Sequence, residues 1–346
     1  MSEFYTEDIK LSGKYRINYK NSVESLIGKL AAESAEQRNA YMKDFANSAE
    51  EYRMNFCKLL GKPLADGIST EIPQVKTEFV TNDGLCDISR LEFTTKEGLY
   101  FYGLLMKPQG IEKAPLIIAQ HGGGGTPELC SEIHGKNKYN KMVRRLLEKG
   151  NVVFAPQVML WNRTEKVETM PMYDEDYNRF HIDRDLKHFG YTLVSLEIYL
   201  ITQSINYLET LTFVDCKKIG MMGMSYGGFF TLHTMAVDKR IKSGYCCAFF
   251  NDRIRYDYPD WVWWNSANRM MDAEVAALCA PRRLYLEVGK EDPVFDYKTA
   301  IPEAERAMGY YKMLGCENQL RFDIWDGGHT VNTEDKGYDF FLEGFK

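Results

Sequence analysis

Apolar residues recur along this chain with two different periods. Near the start, Val23, Leu26, Ile27 and Leu30 follow i, i+3, i+4 and i+7, the spacing that gathers side chains on one face of a helix. Tyr52, Phe56, Leu59 and Leu60 form a second such stripe. Ser22 stands where a helix N-cap would stand. Ser34 with Gln37, and Ser48 with Glu51, read as capping boxes, in which side chains satisfy the unpaired amides of a first turn. Gly61-Lys62-Pro63 ends the run. The pattern predicts a polar-faced helical arm over residues 22–60, within an N-terminal extension covering 1–74. Such an arm is expected to pack on the body that follows.

From residue 75 the period changes. Val75–Thr81, Leu85–Thr95 and Leu99–Lys107 read as antiparallel strands, with a turn at Lys96-Glu97-Gly98. Short apolar runs then alternate with helical stretches. Strands are predicted at Pro115–Gln120, Asn151–Pro156, Lys218–Met224, Lys242–Phe249, Arg283–Val288 and Leu320–Trp325. Helices are predicted near Lys138–Lys149, Thr192–Leu211, Gly227–Val237, Pro302–Leu314 and Thr333–Phe345. Alternation of this kind predicts an α/β body over 75–346, with a mostly parallel central sheet and helices on both faces.

Composition narrows the partners. Hydrophobic residues make up 45% and charged residues 27%, as in a globular chain. A net charge of −6 gives no electrostatic bias toward nucleic acid or an anionic membrane, and neither is expected as a partner. No apolar run reaches membrane-spanning length, and the acidic start Met1-Ser2-Glu3-Phe4-Tyr5-Thr6-Glu7-Asp8 is not a secretory signal. The eight cysteines include no CxxC pair, and several lie in apolar runs where a free thiol packs as a small hydrophobe. A cytoplasmic protein with reduced thiols is expected. His181, Asp183 and His188 match no metal-binding spacing, and no metal is expected. A homo-oligomer is left open.

The chemistry centres on Gly223-Met224-Ser225-Tyr226-Gly227. An apolar strand precedes it and a helix follows. A serine on so sharp a turn stands clear of the sheet edge, and small neighbours relieve the crowding there. A serine hydroxyl attacks only if a base takes its proton. His121-Gly122-Gly123-Gly124-Gly125 follows the strand Pro115–Gln120 and can aim backbone amides at a developing oxyanion. The expected donors are the amides of Gly123, with Gly122 as an alternative, and of Tyr226. His121 is expected to order this loop. The loop fits neither nucleotide-binding glycine pattern. After the strand ending at Val288 comes Gly289-Lys290-Glu291-Asp292-Pro293. Asp292 is the preferred acid there, with Glu291 and Asp296 as alternatives. After the last strand, Asp326-Gly327-Gly328-His329 supplies the base, His329. Of the other histidines, His233 lies inside a helix, where a core role is expected, and His134, His181 and His188 lie in polar segments. The order Ser, Asp, His, each after a strand, is that of an α/β-hydrolase triad.

In these motifs the chain resembles the α/β-hydrolase superfamily, and within it the dienelactone hydrolase and acetyl xylan esterase-like group. The resemblance rests on HGGGG at 121–125, GMSYGG at 223–228, VDKRIKSG at 237–244, APRRLYLEVGKEDPVF at 280–295 and GGH at 327–329. It covers roughly residues 75–346. It implies the α/β-hydrolase fold, Ser225 as nucleophile, Asp292 as acid, His329 as base, and no cofactor. GMSYGG is also similar to prolyl oligopeptidase-type peptidases, but about 75 residues before the body are too few for their β-propeller. The expected activity is hydrolysis of a small-molecule carboxylic ester through an acyl-enzyme, carbohydrate esters included. A small-peptide or amide hydrolase and a non-catalytic binding protein are the alternatives.

Two segments are expected to shape the pocket, near 157–191 and 251–268. They carry Trp161, Arg163, Trp261 and Trp264 as candidate substrate contacts. Aromatic faces there suit a sugar or an aryl ester, or fill core beneath a lid. Arg163, Arg179, Arg253 and Arg255 are candidates for holding a substrate carboxylate.

Overall fold

The computed structural model of the chain describes residues 4–134, 139–158 and 178–346. Two helices come first, α1 (Gly13–Tyr41) and α2 (Phe45–Leu60). Three strands follow, β1 (Gln74–Asn82), β2 (Cys86–Thr94) and β3 (Tyr100–Pro108). The next stretch holds β4 (Ala114–Gln120), α3 (Pro127–Cys130), α4 (Met142–Glu148), β5 (Val152–Gln157), α5 (Arg179–Lys187) and α6 (Leu193–Leu208). Then come β6 (Val214–Met224), α7 (Tyr226–Val237), β7 (Ile241–Cys247), α8 (Ser266–Arg269) and α9 (Asp272–Cys279). The chain closes with β8 (Arg283–Gly289), α10 (Tyr297–Met313), β9 (Leu320–Trp325) and α11 (Lys336–Glu343).

The strands form one sheet in the order β1-β2-β3-β5-β4-β6-β7-β8-β9. The first three pair antiparallel, as does β3 with β5, and every pair from β5 onward is parallel. This is the expected α/β architecture. Successive side chains of a strand point to opposite faces, and the core divides accordingly. Leu116 and Ile118 of β4 and Phe154 of β5 enter one apolar cluster, with α2, α6, α7, α9 and α10. Ile117, Ala119 and Val153 enter the other, with α4 and α11. Because β4 lies between β5 and β6, connections leave it toward both sides. The loops after β4, β6, β8 and β9 all open at the carboxyl edge of the parallel strands, where such sheets hold ligands.

The arm departs from its expected boundaries. α1 begins at Gly13, and Ser22 lies inside it with its hydroxyl donating back to Tyr19 O at 2.7 Å. Ser34 is likewise interior, donating to Ala31 O at 2.8 Å. Serine hydroxyls adopt this backward bond within helices, so the cap signal at both positions misleads. Ser48 marks a kink inside α2, at φ −133° and ψ 27°. Of the three serines read as caps, it alone stands at a real irregularity. α9 carries no periodic signal because each of its residues is buried.

The two arm helices sit differently. α2 buries Phe45, Phe56 and Leu60 in the main core. Its Arg53 runs between α7 and α9 and donates to Ala236 O and to Leu278 O. α1 touches the body only near its end. There Arg38 donates to Ala267 O at 2.8 Å and pairs with Glu274 at 3.1 Å. All eight cysteines are free, and Cys216 alone among them is exposed. No helix among the described residues is long and apolar enough to cross a membrane.

Candidate functional site

Ser225 occupies the turn between β6 and α7 with φ +59° and ψ −124°, a conformation a residue with a Cβ adopts only under constraint. Three contacts impose it. The Ser225 amide donates to Cys247 O at the end of β7 (2.8 Å), and Ser225 O accepts from Phe229 N in α7 (3.0 Å). Gly227 packs so closely under β4 that an added Cβ would collide with Gln120 O. The serine is left 8% exposed.

Asp292 and His329 meet across the loops after β8 and β9. His329 Nδ1 lies 2.8 Å from Asp292 Oδ2. The other carboxylate oxygen accepts from the amides of Val294 (2.8 Å) and Phe295 (3.0 Å). The Asp292 side chain is wholly buried, whereas that of His329 keeps 14% of its surface. An aspartate held on both oxygens fixes the imidazole with its proton on Nδ1 and leaves Nε2 as the basic nitrogen. The alternatives lie elsewhere: Glu291 is exposed, and Asp296 caps α10 by accepting from Lys298 N at 2.9 Å.

Cys247 joins this pair to the serine. Its carbonyl takes the Ser225 amide, and its thiol donates to Thr330 O, next to His329, at 3.4 Å. Beneath it lies Glu287, whose carboxylate accepts from Asn332 Nδ2 (3.0 Å) and Tyr245 Oη (3.1 Å) and lies 3.6 Å from Cys247 Sγ. Burial pushes the Glu287 carboxyl above its ordinary range. No hydrogen bond joins Ser225 Oγ to His329 among the described residues. A contact between a nucleophile and its base is often loose in the free protein and tightens on binding.

The glycine loop lies against the serine. A Cβ added to Gly122 would come within 3.1 Å of Ser225 Cβ and 2.9 Å of Met224 O. Gly125 N donates to Gly122 O at 3.0 Å, with Gly124 at φ +67° in the corner, so residues 122–125 form a tight turn. The Gly122 amide is taken by Tyr139 Oη at 2.9 Å. The Gly122 amide is thereby engaged, whereas that of Gly123 has no protein acceptor among the described residues. Tyr226 opens α7, where backbone amides point outward. His121 is buried, lies 2.9 Å from Gly122 O through Nδ1, and has its pKa pushed down to about 4 by desolvation. A neutral imidazole there braces the loop.

Other candidates take different places. Trp161 and Arg163 lie outside the described residues. Trp261 is not a substrate face: it is 3% exposed and stacks between Phe229 (4.4 Å) and Phe295 (6.1 Å). Trp264 is 90% exposed. Arg179 and Arg253 are not open to a carboxylate ligand, since Arg179 pairs with Glu197 and Asp260 and Arg253 with Asp272. His181 caps α5 with Asn178, Asp183 accepts from Leu193 N, and His233 stacks in the core on Phe229.

Sequence reasoning missed a buried network behind the elbow. Tyr226 Oη donates to Asp260 Oδ1 at 3.0 Å, and Arg179 Nε donates to Asp260 Oδ2 at 2.9 Å. The remaining Arg179 nitrogens grip Glu197 through two 2.8 Å bonds. The Arg179 guanidinium also faces the Tyr226 ring at 5.1 Å. One signal for it was visible: Glu197 is the single acid in the apolar helix LVSLEIYLITQSINYL, and a lone buried carboxylate demands a cation.

Residues 101–300, more than half the chain, match the sequence model of the dienelactone hydrolase family. The chain belongs to that family. Solved structures similar to this dienelactone hydrolase family member share its fold. A Bacteroides fragilis protein provisionally named an acetyl xylan esterase matches with a TM-score of 0.65 at 14% identity, over 91% of this chain and 89% of its own. A glucuronoyl esterase from Solibacter usitatus matches with a TM-score of 0.63 at 15% identity, over 87% and 93%. Acetyl xylan esterase 1 from a Thermoanaerobacterium species matches with a TM-score of 0.58 at 17% identity, over 87% and 94%. Among curated proteins nothing matches. Family and fold both set the chain among α/β-hydrolases whose solved members include these esterases.

Proposed function

We propose that this family member is a serine hydrolase that cleaves carboxylic esters through an acyl-enzyme. The observation that carries the reading is the His329–Asp292 pair at 2.8 Å, tied through Cys247 to a strained Ser225. In the first half-reaction His329 Nε2 takes the Ser225 hydroxyl proton as Oγ attacks the ester carbonyl. The amides of Gly123 and Tyr226 receive the negative charge on the carbonyl oxygen. His329 then gives the proton to the departing alcohol, leaving an ester on Ser225. Water repeats the sequence and frees the acid. Asp292 holds the imidazolium throughout.

Carbohydrate esters are the favoured substrate class, supported by the xylan- and glucuronoyl-ester names of the structural neighbours. Free cysteines throughout support a cytoplasmic setting. The test is release of p-nitrophenol from p-nitrophenyl acetate by the wild type and by Ser225→Ala. Hydrolysis is expected to fall by roughly a millionfold when the nucleophile is lost. Equal rates in the two proteins would remove the serine from the mechanism. Acetylated xylo-oligosaccharides, compared with aminoacyl amides, then separate ester from amide preference.

A further inference from the structure

Residues 14–30 of α1 are exposed without a break. At 100° per residue, Tyr15, Tyr19, Val23, Leu26, Ile27 and Leu30 fall on one side of the helix. The exposures are large: 73% for Tyr19, 54% for Leu26 and 53% for Leu30. The steps 19, 23, 26 and 30 are the alternating fours and threes of a helix–helix seam. Further along, the same side carries Ser34 and Arg38, the two residues buried where α1 meets the body. The stripe that seats the helix thus continues beyond the body with no described residue covering it. A bare helix of this kind is marginal in water, and a contiguous apolar patch on a soluble chain marks a surface made to be covered.

The geometry points to a second copy of this chain as the cover, with two α1 helices packed antiparallel and crossing near Val23. The charge along the helix selects this occupant. The half before Val23 carries Lys14, Arg16 and Lys20 and no acid, whereas beyond it the exposed acids Glu24, Glu33 and Glu36 outnumber the one exposed base of the helix, Lys29, Arg38 being buried against the body. Antiparallel pairing sets each basic half beside the acidic end of the partner, stripe against stripe, about a two-fold axis. Parallel pairing would set like charges together. A membrane-surface helix would carry basic residues along its whole polar side, and here acids interrupt it. The antiparallel crossing also brings Ile9 and Leu11 of one copy, 71% and 65% exposed, toward the end of the other α1. A cleft of about 410 Å³ lies there, in which Ala31, Ala35 and Ile254 stand beside the charged Arg38, Asp252 and Glu303.

The full chain is to be examined by sedimentation equilibrium at micromolar concentration. Twice the mass of one chain is expected for the wild type. The double variant Tyr19→Lys, Leu26→Lys is expected at one chain mass, with unchanged circular dichroism and unchanged p-nitrophenyl acetate turnover per chain. A monomeric wild type, or a dimer that survives the double variant, overturns the proposal. So does a monomeric wild type that sediments with phosphatidylserine vesicles, which would give the stripe to a lipid surface. Orientation is read by oxidative cross-linking against the wild-type background. Val23→Cys is expected to link to itself, Tyr15→Cys to link only when mixed with Leu30→Cys. Self-linking of Tyr15→Cys overturns the antiparallel arrangement.

Discussion

His121 shows how one buried side chain makes stability depend on pH. Its ordinary pKa lies near 6.5, and desolvation holds it at about 4 in the folded chain. Above 6.5 both folded and unfolded chains carry it neutral, and its contribution is constant. Below that, the unfolded chain takes up a proton that the folded chain refuses, so stability falls until the folded pKa is reached. At about 1.4 kcal/mol for each pH unit separating the two values, the full loss is roughly 3 kcal/mol. His233, also held low by burial, acts with the same sign. Urea denaturation of the wild type should show this slope on acidification, and His121→Gln should flatten it. An unchanged slope in the variant would place the proton uptake elsewhere. For the proposed reaction, Asp292→Asn should lower kcat by about 10⁴ with little change in fold, because the amide leaves the imidazole in the wrong tautomer. The residues proposed as the triad stand out in the sequence because each follows a strand in a glycine- or proline-marked loop. The partner of the Gly122 amide does not stand out, since it is Tyr139, which approaches from outside the motif.

Among the elements, α7 is the one whose placement matters most to the proposed reaction, because its first amide belongs to the residue after the proposed nucleophile. The side chain of that residue, Tyr226, is held by Asp260, itself held by Arg179. Each of Arg179, Glu197 and Asp260 is 1% exposed. Removing one member of such a buried set typically costs about 3–5 kcal/mol, because a charge is left without its partner. Asp260→Ala is therefore expected to lose stability on that scale, read from the urea midpoint. Tyr226→Phe forfeits one hydrogen bond to a charged group and should lose only about 1.5–3 kcal/mol. If the network also aims the Tyr226 amide, kcat of Asp260→Ala measured well below its melting range should fall while KM changes little. Strands, by contrast, were readable nearly to the residue: Leu320–Trp325 is β9 as expected, since a buried parallel strand is a short apolar run between breakers. The network was not, because its members come from α5, α6 and the loop before α8, and such pairings leave no local period.

At the scale of the molecule, the extension expected over residues 1–74 divides into two parts with different energetics. Residues 14–30 bury nothing against the body, whereas α2 fills one face of the sheet with Phe45, Phe56 and Leu60, each at most 1% exposed. Fully burying a single large apolar side chain is worth about 1.5–3 kcal/mol. Loss of α2 would uncover several at once, together with the α7 and α9 surfaces that Arg53 ties down, against a net stability of only about 5–15 kcal/mol for a folded domain. A chain starting at Ala31 keeps Ser34, Arg38 and all of α2. It should fold, melt cooperatively and hydrolyse p-nitrophenyl acetate as the full chain does, and its melting temperature should not depend on protein concentration. If α1 pairs two copies, the full chain's melting temperature should rise with concentration, since association stabilises the folded state by mass action. A chain starting at Gly61 should instead be insoluble or molten, with ester hydrolysis lost. The apolar stripes at 23–30 and 52–60 look alike in sequence, because period reports a face and not what meets it. Only the tertiary position, one stripe over the sheet and the other covered by no described residue, separates a core helix from a docking one. The pair of truncations measures that difference directly: retained activity from Ala31 and lost activity from Gly61 place the folding boundary between α1 and α2, and failure of the first would put the first half of α1 within the folding unit after all.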